Sequence, residues 1–368
     1  MKLHRRDVLK GAAALAGAAA LPTTGNAQRA FAPTPGAWRS FEIVTRLEIA
    51  ATNGATQAWV PLPAFDAPEW FKPGGSTWTT NAASAEIRTD AKYGSQHLHL
   101  TWTGTDKPAT VSVTSKFATR DRAFDLSKPG TAGQLSDRER KLYTDPTTLI
   151  PTDGIVKETA DKIVAGARTD LEKARLIYEW VVENTFRDPK ARGCGWGDIK
   201  AMLETGNMGG KCGDINALFV GLARSVGIPA RDVYGIRVAR SAFGYRELGA
   251  GGPDVSRAQH CRAEVWLAGR GWVAMDPADV GKVMRLETPE WLKDPNAPVA
   301  APVYRALFGG WEGNWMAYNV AHDVALPGSR GAKVGFLMYP QAETRGERID
   351  SLDPETFKYK ITAREITA

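Results

Sequence analysis

A cysteine, a histidine and an aspartate occur in three separate blocks of the sequence. Cys212 lies in the run GGKCGD, His260 begins the run HCRAEVW, and Asp276 ends the run GWVAMD. A thiol becomes a strong nucleophile when a histidine takes its proton, and a carboxylate can hold that histidine in the required orientation. These residue types therefore predict acyl transfer through a thioester, with Cys212 as nucleophile, His260 as base and Asp276 as orienting group.

Cys212 precedes the clearest helical pattern of the chain. Gly227 follows this pattern where a C-terminal cap is expected, and Pro229 prevents its continuation. The N-terminal end of a helix carries partial positive charge, so we expect this position to lower the pKa of Cys212. The apolar residues that recur at helical spacing are Ile215, Leu218, Phe219, Leu222, Ala223 and Val226.

Two strand patterns, at 260–267 and 271–275, place the other two residues. If Trp266 pairs with Trp272 across the intervening loop, Arg262 faces Asp276 and His260 becomes its diagonal neighbour on the same face. Diagonal cross-strand neighbours lie roughly 7–8 Å apart, which is within reach of a side-chain contact. Asp279 is the competing candidate for the orienting role.

Structural and metal-binding roles compete with this interpretation. A buried cysteine is often only a small core residue, and Asp276 before Pro277 could merely close a strand. Cys194, Cys212, His260 and Cys261 lack the C-x₂-C spacing typical of a zinc site, so we expect no metal. No cofactor motif is present either. His97 and His99 alternate with leucines, which predicts a solvent-exposed histidine face.

The first 27 residues are typical of a twin-arginine export signal. Arg5 and Arg6 are followed by a weakly apolar stretch and by a small-residue cleavage site that ends at Ala27. We therefore expect export to a bacterial periplasm, with the signal removed near Ala27. The signal carries four cations and one acid, so its removal lowers the formal net charge from +6 to +3. The basic balance of the chain consequently does not argue for a nucleic-acid partner.

The rest of the chain contains no apolar run of the roughly 18–20 residues that span a bilayer, so we expect no integral membrane segment in the mature protein. Its three cysteines are an odd number. In an oxidising compartment at least one thiol is then free, or pairs between molecules. If one intramolecular disulfide forms, Cys194 with Cys261 is the pairing that leaves Cys212 available.

The mature chain divides into three parts by its patterns. Residues 38–120 alternate apolar and polar side chains, which predicts an N-terminal antiparallel β domain. Residues 155–300 mix helical and strand patterns and contain the catalytic candidates. Residues 301–368 are predicted as a β-rich C-terminal extension. The polar, Pro- and Gly-containing stretch 120–152 is predicted as a connection between the first two parts.

The blocks around 155–280 look like the bacterial transglutaminase-like superfamily. The resemblance implies an α+β fold, with a papain-like or transglutaminase-like core in which Cys212, His260 and Asp276 are nucleophile, base and orienting residue. Family members hold the oxyanion with an upstream tryptophan or glutamine beside the backbone amide of the cysteine, which points to Trp196. The blocks that carry the resemblance are GKCGD at 210–214, GIPAR at 227–231, HCRAEVW at 260–266 and GWVAMDP at 271–277.

These observations predict an exported thiol enzyme that acts on amide bonds through a Cys212 thioester. Hydrolysis of a peptide or protein amide is the favoured outcome, as in a cysteine peptidase or amidase. Two alternatives stay open: transfer of the acyl group to an amine, as in a protein-glutamine transglutaminase, and a non-catalytic binding module that keeps the fold. The sequence does not indicate an oligomeric state.

Overall fold

The computed structural model describes residues 30–51, 54–104 and 107–366. The first strands of the chain are β1 (Arg39–Ile49), β2 (Thr56–Pro61), β3 (Phe71–Thr80), β4 (Ser84–Thr89), β5 (Gln96–Trp102), β6 (Ala109–Thr119) and β7 (Arg122–Ala123). The middle of the chain forms α1 (Asp137–Thr144), α2 (Gly154–Ile163), α3 (Asp170–Asn184), β8 (Phe186–Arg187), α4 (Ile199–Thr205), β9 (Gly209–Gly210), α5 (Cys212–Ser225), β10 (Ala230–Arg237), β11 (Gln259–Leu267), β12 (Gly271–Met275) and α6 (Pro277–Leu286). The last elements are α7 (Ala301–Ala306), β13 (Gly310–Trp311), β14 (Trp315–Asn319), β15 (His322–Val324), β16 (Val334–Phe336), β17 (Gln341–Thr344), β18 (Glu347–Ile349) and β19 (Lys358–Ile366).

Strands β1 to β6 lie in two antiparallel sheets, in the orders β19-β1-β6-β3 and β18-β17-β2-β5-β4, whereas β7 pairs with β13. In β1, buried Phe41, Ile43 and Leu47 alternate with less buried residues, as a strand with one covered face requires. Each sheet also contains strands from the end of the chain, because β19 pairs with β1 and β17 pairs with β2. The region predicted as a C-terminal extension thus supplies strands to the sheets of the N-terminal region.

The prediction of a solvent-exposed histidine face is wrong for His97. It is fully buried in β5, and this burial lowers its pKa to about 4. β5 is an inner strand between β2 and β4, and apolar residues from 321–337 pack around Trp59 on the neighbouring strand. His99 is half-buried and stacks on Trp59. Alternation alone did not indicate that a distant segment covers this face.

A third sheet, in the order β12-β11-β10-β14, packs against α5. Every residue of α5 is buried, so the helix lies inside the core and no side of it faces solvent. Gly227 follows the helix with a φ of 85°, a left-handed conformation that suits glycine and confirms the predicted C-terminal cap. The molecule therefore has the predicted α+β class: antiparallel sheets beside a mixed core that surrounds one buried helix.

Candidate active site

Cys212 is the first residue of α5 and is only 2% exposed. Its backbone N–H has no hydrogen-bond partner among the described residues, as expected for the first N–H of a helix. The next N–H, that of Gly213, donates to the Cys194 carbonyl over 2.7 Å. A Cβ at Gly213 would lie 2.7 Å from the same oxygen, so only glycine allows this approach. The backbone of Cys194 is thus held directly against the start of the helix.

Asp214 fixes the same loop from the first turn of α5. Its Oδ1 accepts hydrogen bonds of 2.9 Å from the Trp196 and Gly197 backbone amides, and its Oδ2 accepts one of 2.9 Å from Lys211. Gly195 lies between these contacts with a φ of 93°, and a Cβ there would lie 1.7 Å from the carboxylate. Burial raises the pKa of Asp214, and the three backbone donors oppose this shift.

The β11–β12 hairpin brings His260 to Asp276. Trp266 pairs with Trp272 in the observed register, which confirms the pairing predicted from the sequence. His260 Nε2 lies 2.7 Å from Asp276 Oδ2 and 3.3 Å from Asp279 Oδ2. Both carboxylates considered from the sequence therefore contact the imidazole, and that of Asp276 is the nearer. His260 itself is 3% exposed.

Asp276 is also the N-terminal cap of α6, because its Oδ1 accepts the Asp279 N–H over 3.1 Å. Asn216, one turn after Cys212 on α5, donates to the same Oδ1 over 3.2 Å and to the Cys261 carbonyl over 2.9 Å. Its Oδ1 accepts the Ala278 N–H over 3.3 Å. Asn216 consequently ties the helix that carries the thiol to the hairpin that carries the base. Its polar amide, four residues after Cys212 and alone among the apolar residues of 215–223, was the sequence signal for this role.

The electrostatics of the site favour a charged imidazole. Burial and the charge of Arg237 lower the pKa of His260, but the carboxylates of Asp279 and Asp276 outweigh them and raise it to about 9. The pKa of Cys212 lies well below its usual value, since hydrogen bonds from the Cys194 and Cys261 thiols and then from His260 outweigh burial. At neutral pH these two shifts favour a thiolate beside an imidazolium, which is the reactive form of a cysteine nucleophile.

All three cysteines are free, buried thiols in this structure. They interact with one another, and Cys194 Sγ also donates to the Gln259 carbonyl over 3.4 Å. The pKa of Cys194 is raised, chiefly by its hydrogen bond to Cys212. The sequence placed one extra thiol beside the base, at Cys261. It did not indicate that Cys194 lies beside the nucleophile.

The segment of the chain that carries this site matches the model of a known protein family. The family model described as the transglutaminase-like superfamily matches residues 157–277, which include Cys212, His260 and Asp276. An uncharacterized protein of Haemophilus influenzae is 39% identical over 330 residues, covering 86% of this chain and 88% of its own. The chain belongs to the transglutaminase-like superfamily. This finding confirms the family resemblance found in the sequence.

Similarity to a solved structure extends beyond the segment that the family model matches. A Cytophaga hutchinsonii protein, described as a proposed cysteine protease, is similar with a TM-score of 0.52 and 14% identity. The likeness covers 90% of this chain and 99% of that protein. At this identity the similarity establishes the fold alone, and it supports the predicted fold class.

A twin-arginine translocation signal model matches residues 2–22 of this transglutaminase-like protein, which indicates export. The predicted signal, 1–27, and its cleavage near Ala27 lie outside the described residues. Across 30–51, 54–104 and 107–366, no helix has both the length and the apolar character needed to cross a membrane. The predicted domain boundaries, at 38–120, 155–300 and 301–368, stay predictions.

Trp196 lies in the loop beside the nucleophile, but its side chain is 75% exposed. The indole lines a pocket of about 490 Å³ with Cys194, Val334 and Phe336, and its N–H has no hydrogen-bond partner among the described residues. Its backbone N–H donates to Asp214 Oδ1 over 2.9 Å. The oxyanion role of Trp196 stays a prediction.

One group of side chains has the composition of a metal site. Atoms of His260, Asp276 and Asp279 lie within 4.8 Å of one another. However, Arg237 Nη2 lies 2.5 Å from Asp279, and Arg262 Nε lies 3.6 Å from Asp276. These guanidinium groups already balance the two carboxylates, so the group is better suited to holding an imidazolium than a divalent cation.

Proposed function

We propose that this protein is an exported thiol enzyme that hydrolyses an amide bond in a peptide or protein through a Cys212 thioester. The observation that supports it most is the buried Cys212, His260 and Asp276 arrangement, in which neighbouring groups lower the pKa of the thiol and raise that of the imidazole to about 9. Few structural roles require a thiol of lowered pKa and an imidazole of raised pKa together at the start of a helix. The twin-arginine match supports export, and we propose the periplasm as the destination.

The proposed reaction begins when the Cys212 thiolate attacks the carbonyl carbon of the amide. The unpaired Cys212 N–H is positioned to donate to the oxyanion that forms. His260 gives its proton to the leaving nitrogen, the C–N bond breaks, and a thioester remains on Cys212. The neutral imidazole then takes a proton from the water that attacks the thioester. The C–S bond breaks and a carboxylic acid leaves, which regenerates the Cys212 thiolate and the His260 imidazolium.

Asp276 and Asp279 act on this cycle through His260. Their charges favour the imidazolium, which is the form that donates a proton to the leaving group. The hydrogen bond from His260 Nε2 to Asp276 leaves Nδ1 for the thiol side of the ring. Asp276 is therefore proposed as a positioning residue rather than as a proton carrier.

The test uses the mature protein and its Cys212→Ala variant with a library of peptides and small amides. We expect wild type to release an amine and a carboxylic acid, and intact-mass spectrometry after rapid acid quench to detect an acyl adduct on Cys212. Both signals should be lost in the variant. Turnover that survives Cys212→Ala would rule the proposal out.

The same assay separates the alternatives. Incorporation of an added primary amine in place of water, again lost in Cys212→Ala, would make the protein a transglutaminase. Binding of a peptide without any turnover or acyl adduct would make it a binding module. For the location, replacing Arg5 and Arg6 with lysine should leave the precursor in the cytoplasmic fraction, whereas wild type should reach the periplasmic fraction without residues 1–27.

A further inference from the structure

A pocket of about 610 Å³ lies beside the proposed nucleophile. Its lining includes Lys211, which precedes Cys212 in sequence, Gln259, which precedes His260, and Cys194, whose thiol interacts with that of Cys212. A pocket of this size accommodates a short segment of a ligand. Its position makes it the place where side chains close to a scissile amide would lie.

The charged residues of this pocket all have the same sign. No aspartate or glutamate lines it, among the described residues. Asp350 neutralises Arg192, since the two side chains approach to 2.5 Å, whereas the other four cations make no ion pair with a described residue. The five cations are Arg187, Arg192, Lys211, Arg257 and Lys358.

One donor of this pocket also lacks a partner. Arg187 Nε is buried without a hydrogen bond among the described residues. Burial lowers the pKa of Lys211 and the charge of Arg187 lowers it further, although the Cys194 and Cys212 thiols and then Asp188 oppose the shift. Unsatisfied buried donors and adjacent like charges both cost free energy. A ligand that brings negatively charged acceptor oxygens would relieve both.

We infer that the amide substrate is an acidic peptide, with carboxylates close to the scissile bond that occupy this basic pocket. The inference rests on the proposed function, because it is that reaction which requires a peptide acyl donor. In a peptide the anionic groups are carboxylates, and a guanidinium such as that of Arg257 matches their geometry with two parallel N–H donors. A cleft lined by one sign of charge also raises the local concentration of the oppositely charged substrate.

The experiment compares peptides in matched pairs. Each acidic peptide has a counterpart in which glutamine or asparagine replaces the acid next to the same scissile amide. We expect the mature wild-type protein to prefer the acidic member by about tenfold in kcat/KM, mainly through KM. Added salt should raise KM for the acidic member more than for its counterpart, because it screens exposed charges.

Arg257→Glu combined with Lys358→Glu should abolish or reverse this preference. Lys360→Glu combined with Lys116→Glu is the matched control, because both residues are exposed cations outside the lining of this pocket and the pair changes the net charge by the same amount. The control variant should keep the wild-type preference. The same loss of preference in the control would mean that overall charge, and not this pocket, selects the substrate, which overturns the inference.

The outcomes separate the inference from the proposed function. Cys212-dependent turnover that is equal for both members of each pair overturns the inference and leaves the proposed function standing. If no peptide is cleaved, the proposed function fails. Calorimetric binding of the peptide pairs to the Cys212→Ala variant then decides the inference by itself. Tighter binding of the acidic member supports it, and equal affinity overturns it.

Discussion

At the scale of single residues, the site balances its charges within a buried volume. With Cys212 as a thiolate and His260 as an imidazolium, three negative groups face three positive ones. A buried charge without a partner is costly, so each group favours the charged form of its neighbours. The six groups are Cys212, Asp276 and Asp279 on one side and His260, Arg237 and Arg262 on the other.

The alkaline limb of the pH profile of kcat/KM should reflect the loss of the proton from His260. The proposed reaction needs the imidazolium of His260, whose pKa is raised to about 9, so kcat/KM should fall as the pH rises through about 9. Asp276→Asn removes one carboxylate that raises this pKa, and the limb should then move to lower pH. The measurement is the pH dependence of kcat/KM for both proteins. An alkaline limb at the same pH in wild type and variant would contradict this role of Asp276.

Cys194 should lower the pKa of the Cys212 thiol without itself attacking the substrate. Its hydrogen bond is the largest influence that lowers the pKa of Cys212. Cys194→Ala should therefore raise the pKa of Cys212, measured from the pH dependence of its alkylation by iodoacetamide. Cys194→Ser keeps a hydrogen-bond donor and should shift the pKa less. If the two variants and wild type share one alkylation profile, Cys194 has no such role.

At the scale of elements, the site depends on how a loop is fastened to the start of a helix. Residues 193–197 approach α5 through the Gly213–Cys194 backbone hydrogen bond and through the three bonds that Asp214 accepts. This contact places Cys194 beside Cys212 and orients the first turn of α5. The two segments are close in space only because glycines at 195 and 213 leave room for the opposing atoms.

Asp214→Ala should destabilise the protein by about 2–4 kcal/mol, because one buried and two partly buried N–H groups lose a charged acceptor. Chemical denaturation followed by tryptophan fluorescence measures this change. Asp198→Ala is the control, since Asp198 caps α4 through a single bond to Ala201 and should cost only about 1 kcal/mol. A smaller loss of stability for Asp214→Ala than for Asp198→Ala would contradict the role of the Asp214 carboxylate in holding residues 193–197 against α5.

The sequence predicted elements better than it predicted their contacts. The tryptophan pair of the β11–β12 hairpin gave the register, because that contact is local. Helix α1 was missed within a stretch predicted as a connection, although Ser136 and Glu139 form a capping box that the sequence displays. The approach of Cys194 to Cys212 and the burial of His97 depend on distant segments, and no periodicity encodes either of them.

At the scale of the whole molecule, the ends of the chain close the structure around the site. β19 pairs with β1. β14, which pairs with β10 at the edge of the third sheet, comes from the last third of the chain. Glu264 of β11 further connects the sheet that carries His260 to the N-terminal region, because it pairs with both Arg122 of β7 and Arg231 of β10. Strand patterns in the sequence indicated many of these elements, but their pairing partners are non-local and could not be assigned from it.

Glu264→Gln should destabilise the folded protein by about 3–5 kcal/mol, because two buried guanidinium groups lose their common carboxylate. The free energy of unfolding from urea denaturation checks this. Glu365→Gln breaks the exposed pair with Arg39 and should cost at most about 1 kcal/mol. Equal stability losses in the two variants would contradict the proposed link between the two regions.

Ultraviolet absorbance tests directly whether Cys212 is a thiolate held beside an imidazolium, without requiring a reagent to reach a buried sulfur. The measurement is a pH titration of thiolate absorbance in the mature protein and in Cys212→Ala. We predict that wild type carries one additional thiolate, still present at about pH 6, because its pKa lies far below that of an ordinary thiol. A difference that develops only near the ordinary thiol pKa of about 8.5 would contradict the claim.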